Sequence, residues 1–159
     1  MPTGEGAFWV AAPEDGVVLR VEEGTRSVRR FPVGEEPYDV AVGGGAVWAP
    51  DHDAHRLFRF DPGTGRARAG PDLGQPASSV GYGLGSVWLV VASGDLLRID
   101  PRTLDVTRTV PRVVATAENA EPKLVVRGET LWISSRRAAR SSASTAPTPT
   151  RPRARCRGS

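Results

Sequence analysis

The chain has one cysteine in 159 residues, Cys156, so an internal disulfide and a cysteine-built metal cluster are both excluded. Histidine is almost as scarce, and both copies, His52 and His55, fall within one short segment. Any imidazole chemistry is confined to that place. No apolar run approaches the ~20 residues of a membrane-spanning helix. The first residues lack the basic stretch and apolar run of a signal peptide, so the expected location of the chain as written is cytoplasmic. Nothing follows the 3.6-residue apolar period of an amphipathic helix, and no helix is expected. Nucleophile elbow, phosphate loop and dinucleotide fingerprint are missing as well, so no catalytic residue and no cofactor are assigned.

What the chain does have is a repeat. Its four tryptophans, Trp9, Trp48, Trp88 and Trp132, are spaced by 39, 40 and 44 residues, and they share a frame: Gly-Ala-Phe-Trp-Val, Gly-Ala-Val-Trp-Ala, Gly-Ser-Val-Trp-Leu, Glu-Thr-Leu-Trp-Ile. A period of ~40–45 residues built from short β segments is the pattern of propeller blades, each a four-stranded sheet. With the strands of a blade lettered a to d from the axis outward, the second unit reads 37–43, 46–49, 56–60 and 66–70. The third reads 76–83, 86–92, 95–100 and 105–113. The first unit offers b, c and d (7–12, 17–21, 27–33) and the fourth offers a and b (123–127, 130–134), for an expected total of 13 strands. Fold class and domains follow: an all-β, incomplete β-propeller over residues 5–135, with parts of four blades, and a tail over 136–159.

The connections repeat too. Pro13-Glu-Asp-Gly16, Asp51-His-Asp-Ala-His55 and Ser93-Gly94 join b to c, while Asp61-Pro-Gly-Thr-Gly65 and Asp100-Pro-Arg-Thr103 join c to d. Asp caps its own turn, Pro presets φ and Gly supplies positive φ. Gly34 to Pro37 and Gly74 to Pro76 mark crossovers between blades, and the last crossover, 114–122, is longer and acidic.

Gly-x-Val-Trp at 45–48 and 85–88, Arg-x-Asp-Pro at 59–62 and 98–101, and Gly-x-Pro at 74–76 together resemble the YVTN-like propeller repeats, a group that includes the streptogramin lyases. The resemblance covers residues 5 to 135. It implies a propeller of bacterial type, and it is compatible with enzymes, binding proteins and the sensor portions of regulators alike. Streptogramin lyases act through a metal held by Glu-x-His and a further histidine at the channel mouth. Asp53-Ala-His55 has Asp in place of Glu and the chain has no third histidine, so lyase chemistry is not carried over.

Charge separates the tail from the repeats. The balance is +3 overall, but 136–159 holds seven Arg and no acid, and the remainder has 14 basic against 18 acidic residues, a balance of −4. A mildly acidic repeat region gives no reason to expect nucleic-acid binding by the propeller itself. The tail has no apolar side chain larger than Ala apart from Pro and Cys156. It is expected to be disordered and foreign to the fold, of the composition that a shifted frame of a GC-rich gene gives. Any nucleic-acid contact would come from this basic arm.

Crossovers from d to a and hairpins from b to c emerge on one face, beside the channel mouth. That channel face carries the candidate ligand-binding residues Glu35, Glu36, Tyr38, Asp39, Asp51, His52, Asp53, His55 and Gln75. In an extended segment Asp51, Asp53 and His55 would share one side and could face a divalent ion. As a solvated hairpin tip the segment is expected to hold no metal tightly. The tryptophans are expected at equivalent, buried packing positions in strand b, and Arg20, Arg59 and Arg98 at solvated or turn-pairing positions. The function expected is non-catalytic binding of a ligand or protein on the channel face, by a piece of a larger propeller whose open blade edges self-associate. The alternatives are a remnant of a metal-dependent lyase and the sensor part of a regulator.

Overall fold

The structure, a computed structural model, describes residues 3–4, 6–115 and 122–135. Three antiparallel sheets of four strands and one of two strands follow one another along the chain. The first contains β1 (Thr3–Gly4), β2 (Ala7–Ala12), β3 (Val17–Glu22) and β4 (Val28–Pro32). The second contains β5 (Ala41–Gly43), β6 (Ala46–Asp51), β7 (Arg56–Phe60) and β8 (Ala67–Asp72). The third contains β9 (Ala77–Gly83), β10 (Ser86–Val91), β11 (Leu96–Ile99) and β12 (Val106–Val110), and the fourth β13 (Lys123–Arg127) and β14 (Thr130–Ser134). Strand order equals chain order in every sheet, which is the up-and-down meander of a propeller blade. The described residues include no α-helix, and a single 3-10 turn, Pro13–Asp15, closed by Gly16 in the left-handed region, occupies the first b-to-c hairpin.

One expectation is corrected here. The first sheet does have an inner strand: β1 pairs with β2 through Thr3↔Phe8 and Gly4↔Ala7, so the described residues alone form 14 strands where 13 were expected. Two residues cannot display a period of two, and this strand is defined by its partner rather than by its own pattern. The tail 136–159 and the acidic part of the last crossover, 116–121, lie outside the described residues.

Each sheet has two apolar faces, because successive side chains alternate and both neighbours must be packed. The face bearing Trp9 turns toward the second sheet and is buried with Val47, Ala49 and Phe60. Trp9 and Phe60 rings meet edge-on at 5.7 Å, with Phe31 5.7 Å from both. Trp48, on the opposite face of the second sheet, is buried with Val87, Leu89, Leu97 and Ile99 of the third. Trp88 faces the fourth sheet, where Leu124, Leu131 and Ile133 complete a smaller cluster. The repeat of one tryptophan per blade is therefore a repeat of junctions.

All four tryptophans occupy the same register position, as the pairs Trp9↔Arg20, Trp48↔Arg59 and Trp88↔Arg98, with Trp132↔Val125 on the inner side, demonstrate. Trp9 and Trp48 are inaccessible to solvent, but Trp132 is 63% exposed, contrary to the expectation of burial. No described residue packs on its face as Tyr82 packs on that of Trp48. The three arginines are likewise not simply solvated: each guanidinium lies over the paired indole, at 5.7, 5.8 and 5.7 Å from the ring centre. A cation held over a tryptophan face is worth about 0.5–1 kcal/mol at a partly exposed site.

Size complementarity fixes the approach of neighbouring inner strands. The Tyr82 ring lies parallel to that of Trp48, with centroids 6.2 Å apart, and a methyl group on Gly43 would overlap it. At the next junction Val126 fills the same role over Gly83. The indole Nε1–H groups of Trp48 and Trp88 donate to the carbonyls of Gly43 and Gly83, at 3.0 and 3.1 Å. On the far face, Asp61 and Asp100 each accept backbone N–H groups of their own turns, which holds both carboxyls below the usual carboxylate value of 3.8.

Candidate functional site

The crossover into the second sheet and the hairpin leaving β6 run side by side. A bridge between Pro37 and Asp51 joins them, with backbone bonds from Tyr38 N–H to the Pro50 carbonyl (3.0 Å) and from His52 N–H to the Glu36 carbonyl (2.9 Å). Beneath them the Asp51 carboxylate, fully buried, accepts the N–H groups of Glu35 (2.6 Å) and Glu36 (3.1 Å) on one oxygen and that of Ala54 (2.8 Å) on the other. Three N–H donors satisfy a buried carboxylate that would otherwise be costly. Gly34 completes the device: its φ is +123°, and a methyl group there would collide with the Asp51 carboxylate. Glycine is required at this position.

Asp51 thus anchors the two segments, and the extended arrangement that would set Asp51, Asp53 and His55 on one side is not formed. The hairpin turns instead of staying extended, and His55 adopts a left-handed φ of 50°. The side chains brought together are Glu36, His52 and Asp53, whose potential ligand atoms all lie within 4.8 Å of one another. His52 Nδ1 is 3.2 Å from Glu36 Oε2 and 3.5 Å from Asp53 Oδ1. These side chains are 44%, 38% and 62% exposed, so none is consumed by packing. The Tyr38 ring stands 5.7 Å from that of His52, and Lys123 of the fourth sheet places its ammonium 5.7 Å from the Tyr38 ring.

The remaining candidates divide by role. Asp39 is part of a stitch across inner strands: one carboxylate oxygen accepts from the Ser79 hydroxyl (2.8 Å) and the Val80 N–H (3.1 Å), and the Ser79 hydroxyl oxygen accepts the Leu124 N–H (3.0 Å). Asp39, Ser79 and Lys123 hold the same place in successive sheets, each four residues before the last residue of its inner strand, Gly43, Gly83 or Arg127. Gln75 serves its own hairpin, accepting the Ser93 N–H at 2.8 Å. Glu35 contributes its backbone N–H to Asp51 while its side chain is exposed. Inside the mouth, strands β5, β9 and β13 form the wall of a cavity of about 560 Å³, with Asp39, Tyr82, Lys123 and Arg127 among its polar lining. Lys123 and Arg127 were not among the sequence candidates, since only the curvature of the three inner strands aims them at the channel.

No protein-family model matches the chain, and no curated protein matches it in sequence. Solved structures do match in fold. A structure of U3-55K aligns with a TM-score of 0.63 at 9% identity, over 78% of this chain and 40% of that one. The computationally designed Ika4 protein aligns with a TM-score of 0.64 at 13% identity, over 84% of this chain and 88% of that one. Glutaminyl cyclase of Myxococcus xanthus aligns with a TM-score of 0.62 at 17% identity, over 84% of this chain and 66% of that one. The chain thus spans about two fifths of the U3-55K structure and of the RRP9 WD40 repeats, which it matches at a TM-score of 0.61. At these identities the likeness is one of fold, and that fold is the β-propeller.

Proposed function

We propose that the protein is a non-catalytic propeller segment that binds a partner on its channel face, through Glu36, Tyr38, His52 and Asp53. The observation that carries this reading is the division of labour in the hairpin. Asp51 fixes the backbone from below, and four neighbouring polar and aromatic side chains are left part-exposed on a rigid support. Two carboxylates beside an imidazole and a phenol suit a partner that offers a cationic or hydrogen-bond-donating group, such as a basic peptide segment.

Fluorescence anisotropy with labelled peptides of matched length tests it: basic peptides should bind and acidic ones should not. The combined Glu36→Ala and Asp53→Ala variant should lose about tenfold or more in affinity. Equal binding by the variant would defeat the proposal.

The clustering of Glu36, His52 and Asp53 supports a second reading, a metal site of the kind used by streptogramin-lyase-like enzymes. The first reading expects calorimetric titration with zinc or manganese to give no affinity at or below the micromolar level. Tight binding lost in His52→Ala would move the chain to the second.

A further inference from the structure

The three arginines that lie over the indoles differ in what else they meet. Arg20 forms an ion pair with Glu22 at 2.8 Å, and Arg98 Nε donates to the Ser86 hydroxyl at 2.8 Å. Arg59 has neither arrangement. Its buried Nε has no hydrogen-bond partner among the described residues, because Ala46 stands where Ser86 stands in the next sheet. Asp61 feels its charge, but that carboxylate is turned to the N–H groups of Gly63 and Thr64 in its own turn, and no ion pair forms. A guanidinium drawn partly out of water without an acceptor is an uncompensated cost.

Beside Arg59 a cavity of about 550 Å³ opens between the second and third sheets, at the end of the strands away from the channel mouth. The a-to-b turns at Gly44 and Gly85 and the turn Asp100-Pro-Arg102 frame it, with Tyr82 in its wall. Tyr82 is also particular to this junction. The same inner-strand position holds Val42 in the second sheet and Val126 in the fourth, so neither neighbouring junction brings a hydroxyl to its arginine. Gly44 clears the space, since a methyl group there would collide with the Tyr82 hydroxyl, and that hydroxyl has no hydrogen-bond partner among the described residues. The frame is held in place: Arg68 Nη1 donates to the Arg102 carbonyl at 3.2 Å, and Asp100 Oδ1 accepts the N–H groups of Arg102 and Thr103. Arg59 and Arg102 outnumber Asp100 in the lining, so the cavity favours negative charge.

We propose that this cavity binds the carboxylate group of a small organic acid, held by the Arg59 guanidinium and the Tyr82 hydroxyl. The planar fork of an arginine matches the two oxygens of a carboxylate, and a cavity of this size suits a small molecule. The Asp100 carboxylate in the same wall disfavours a more highly charged phosphate. Both donors belong to complete four-stranded sheets, so the site does not depend on what adjoins the first sheet or the fourth. It is separate from the channel face and independent of what that face binds.

NMR titration of the isotope-labelled full chain with succinate and benzoate, at constant ionic strength, tests the site against the matching amides, succinamide and benzamide, and against inorganic phosphate. One or both acids should bind with a Kd at or below about 1 mM and shift the amide signals of Gly44 and Gly85. The amides should not bind, and phosphate should bind more weakly. Tyr82→Phe, which keeps the ring against Trp48, should weaken binding about threefold or more, and Arg59→Gln about tenfold or more. Arg98→Gln, at the same place in the next sheet, and the combined Glu36→Ala and Asp53→Ala variant should leave the affinity unchanged. Failure of both acids to bind, equal binding of the amides or an unaffected Tyr82→Phe variant would overturn the proposal. So would an equal loss in Arg98→Gln, which would mean a diffuse response to positive charge, and phosphate binding as tight as that of the acids, which would reassign the cavity to another anion.

Discussion

Trp48 and Trp132 occupy one register position in two sheets and have opposite surroundings. Trp48 has Tyr82 stacked on one side, Arg59 across it and an indole hydrogen bond to Gly43, and no solvent reaches it. Trp132 pairs with Val125 in a two-stranded sheet, and most of its surface is open. The same local frame thus gives a core residue in one case and a sticky surface in the other. Burial here is a property of the junction, not of the strand, and a repeat protein is stabilised chiefly by its nearest-neighbour interfaces.

The comparison is tested most severely by truncation at the closed junction. Trp48→Ala should cost about 3–5 kcal/mol, as large aromatic truncations in cores do, measured by chemical denaturation. A loss no greater than that at position 132 would break the contrast. Within the candidate site the same logic separates two carboxylates. Asp51→Ala strands buried N–H groups and should cost about 1–3 kcal/mol, whereas Asp53→Ala should stay within about 0.5 kcal/mol. Equal effects would mean that Asp51 is not the anchor.

A smaller effect, of opposite sign, sharpens the comparison between the second and third junctions. Arg98 Nε donates to the Ser86 hydroxyl at 2.8 Å, but at the equivalent place beneath Trp48 stands Ala46, and the buried Arg59 Nε has no hydrogen-bond partner among the described residues. Ala46→Ser should raise stability by about 0.5–1.5 kcal/mol, and a destabilised variant would show that the two arginines differ in more than this hydroxyl. Trp132→Ala, studied in dilute solution, should change stability by no more than about 0.5 kcal/mol.

The weakest effect is on the acid side. Asp61 and Asp100 have lowered pKa values because folded-state N–H groups favour their charged forms. Their contribution is present above the unfolded value of 3.8 and is lost as pH falls below it. Asp61→Asn with Asp100→Asn should therefore flatten the stability profile only below about pH 4, and an unchanged profile would remove both caps from the account.

The meander, its turns and the junction role of three tryptophans were legible because each strand and turn has its own chemistry, repeated three or four times. Features that depend on a neighbour were not. β1 is visible only through β2, and the pairing of Arg20, Arg59 and Arg98 with indoles follows from a register between strands b and c. The exposure of Trp132 is decided by another sheet altogether. In the site, the nearness of the crossover at 35–38 to the hairpin at 51–55 follows from the repeat, but alternation misled: residues 51–55 turn, so Asp51 points down to Glu35 and Glu36 while His52 takes its place beside Asp53. Lys123 came into view only with the curvature of the inner wall.

The pairing of Tyr82 with Gly43, and of Val126 with Gly83, rests on a glycine that recurs at one register position, in the pairs Gly4↔Ala7, Gly43↔Ala46 and Gly83↔Ser86. Gly43 and Gly83 each leave room for a side chain of the next inner strand, and that side chain is an aromatic ring at one junction and a branched aliphatic group at the following one. The inner wall can vary one residue per blade because its neighbour stays without a side chain.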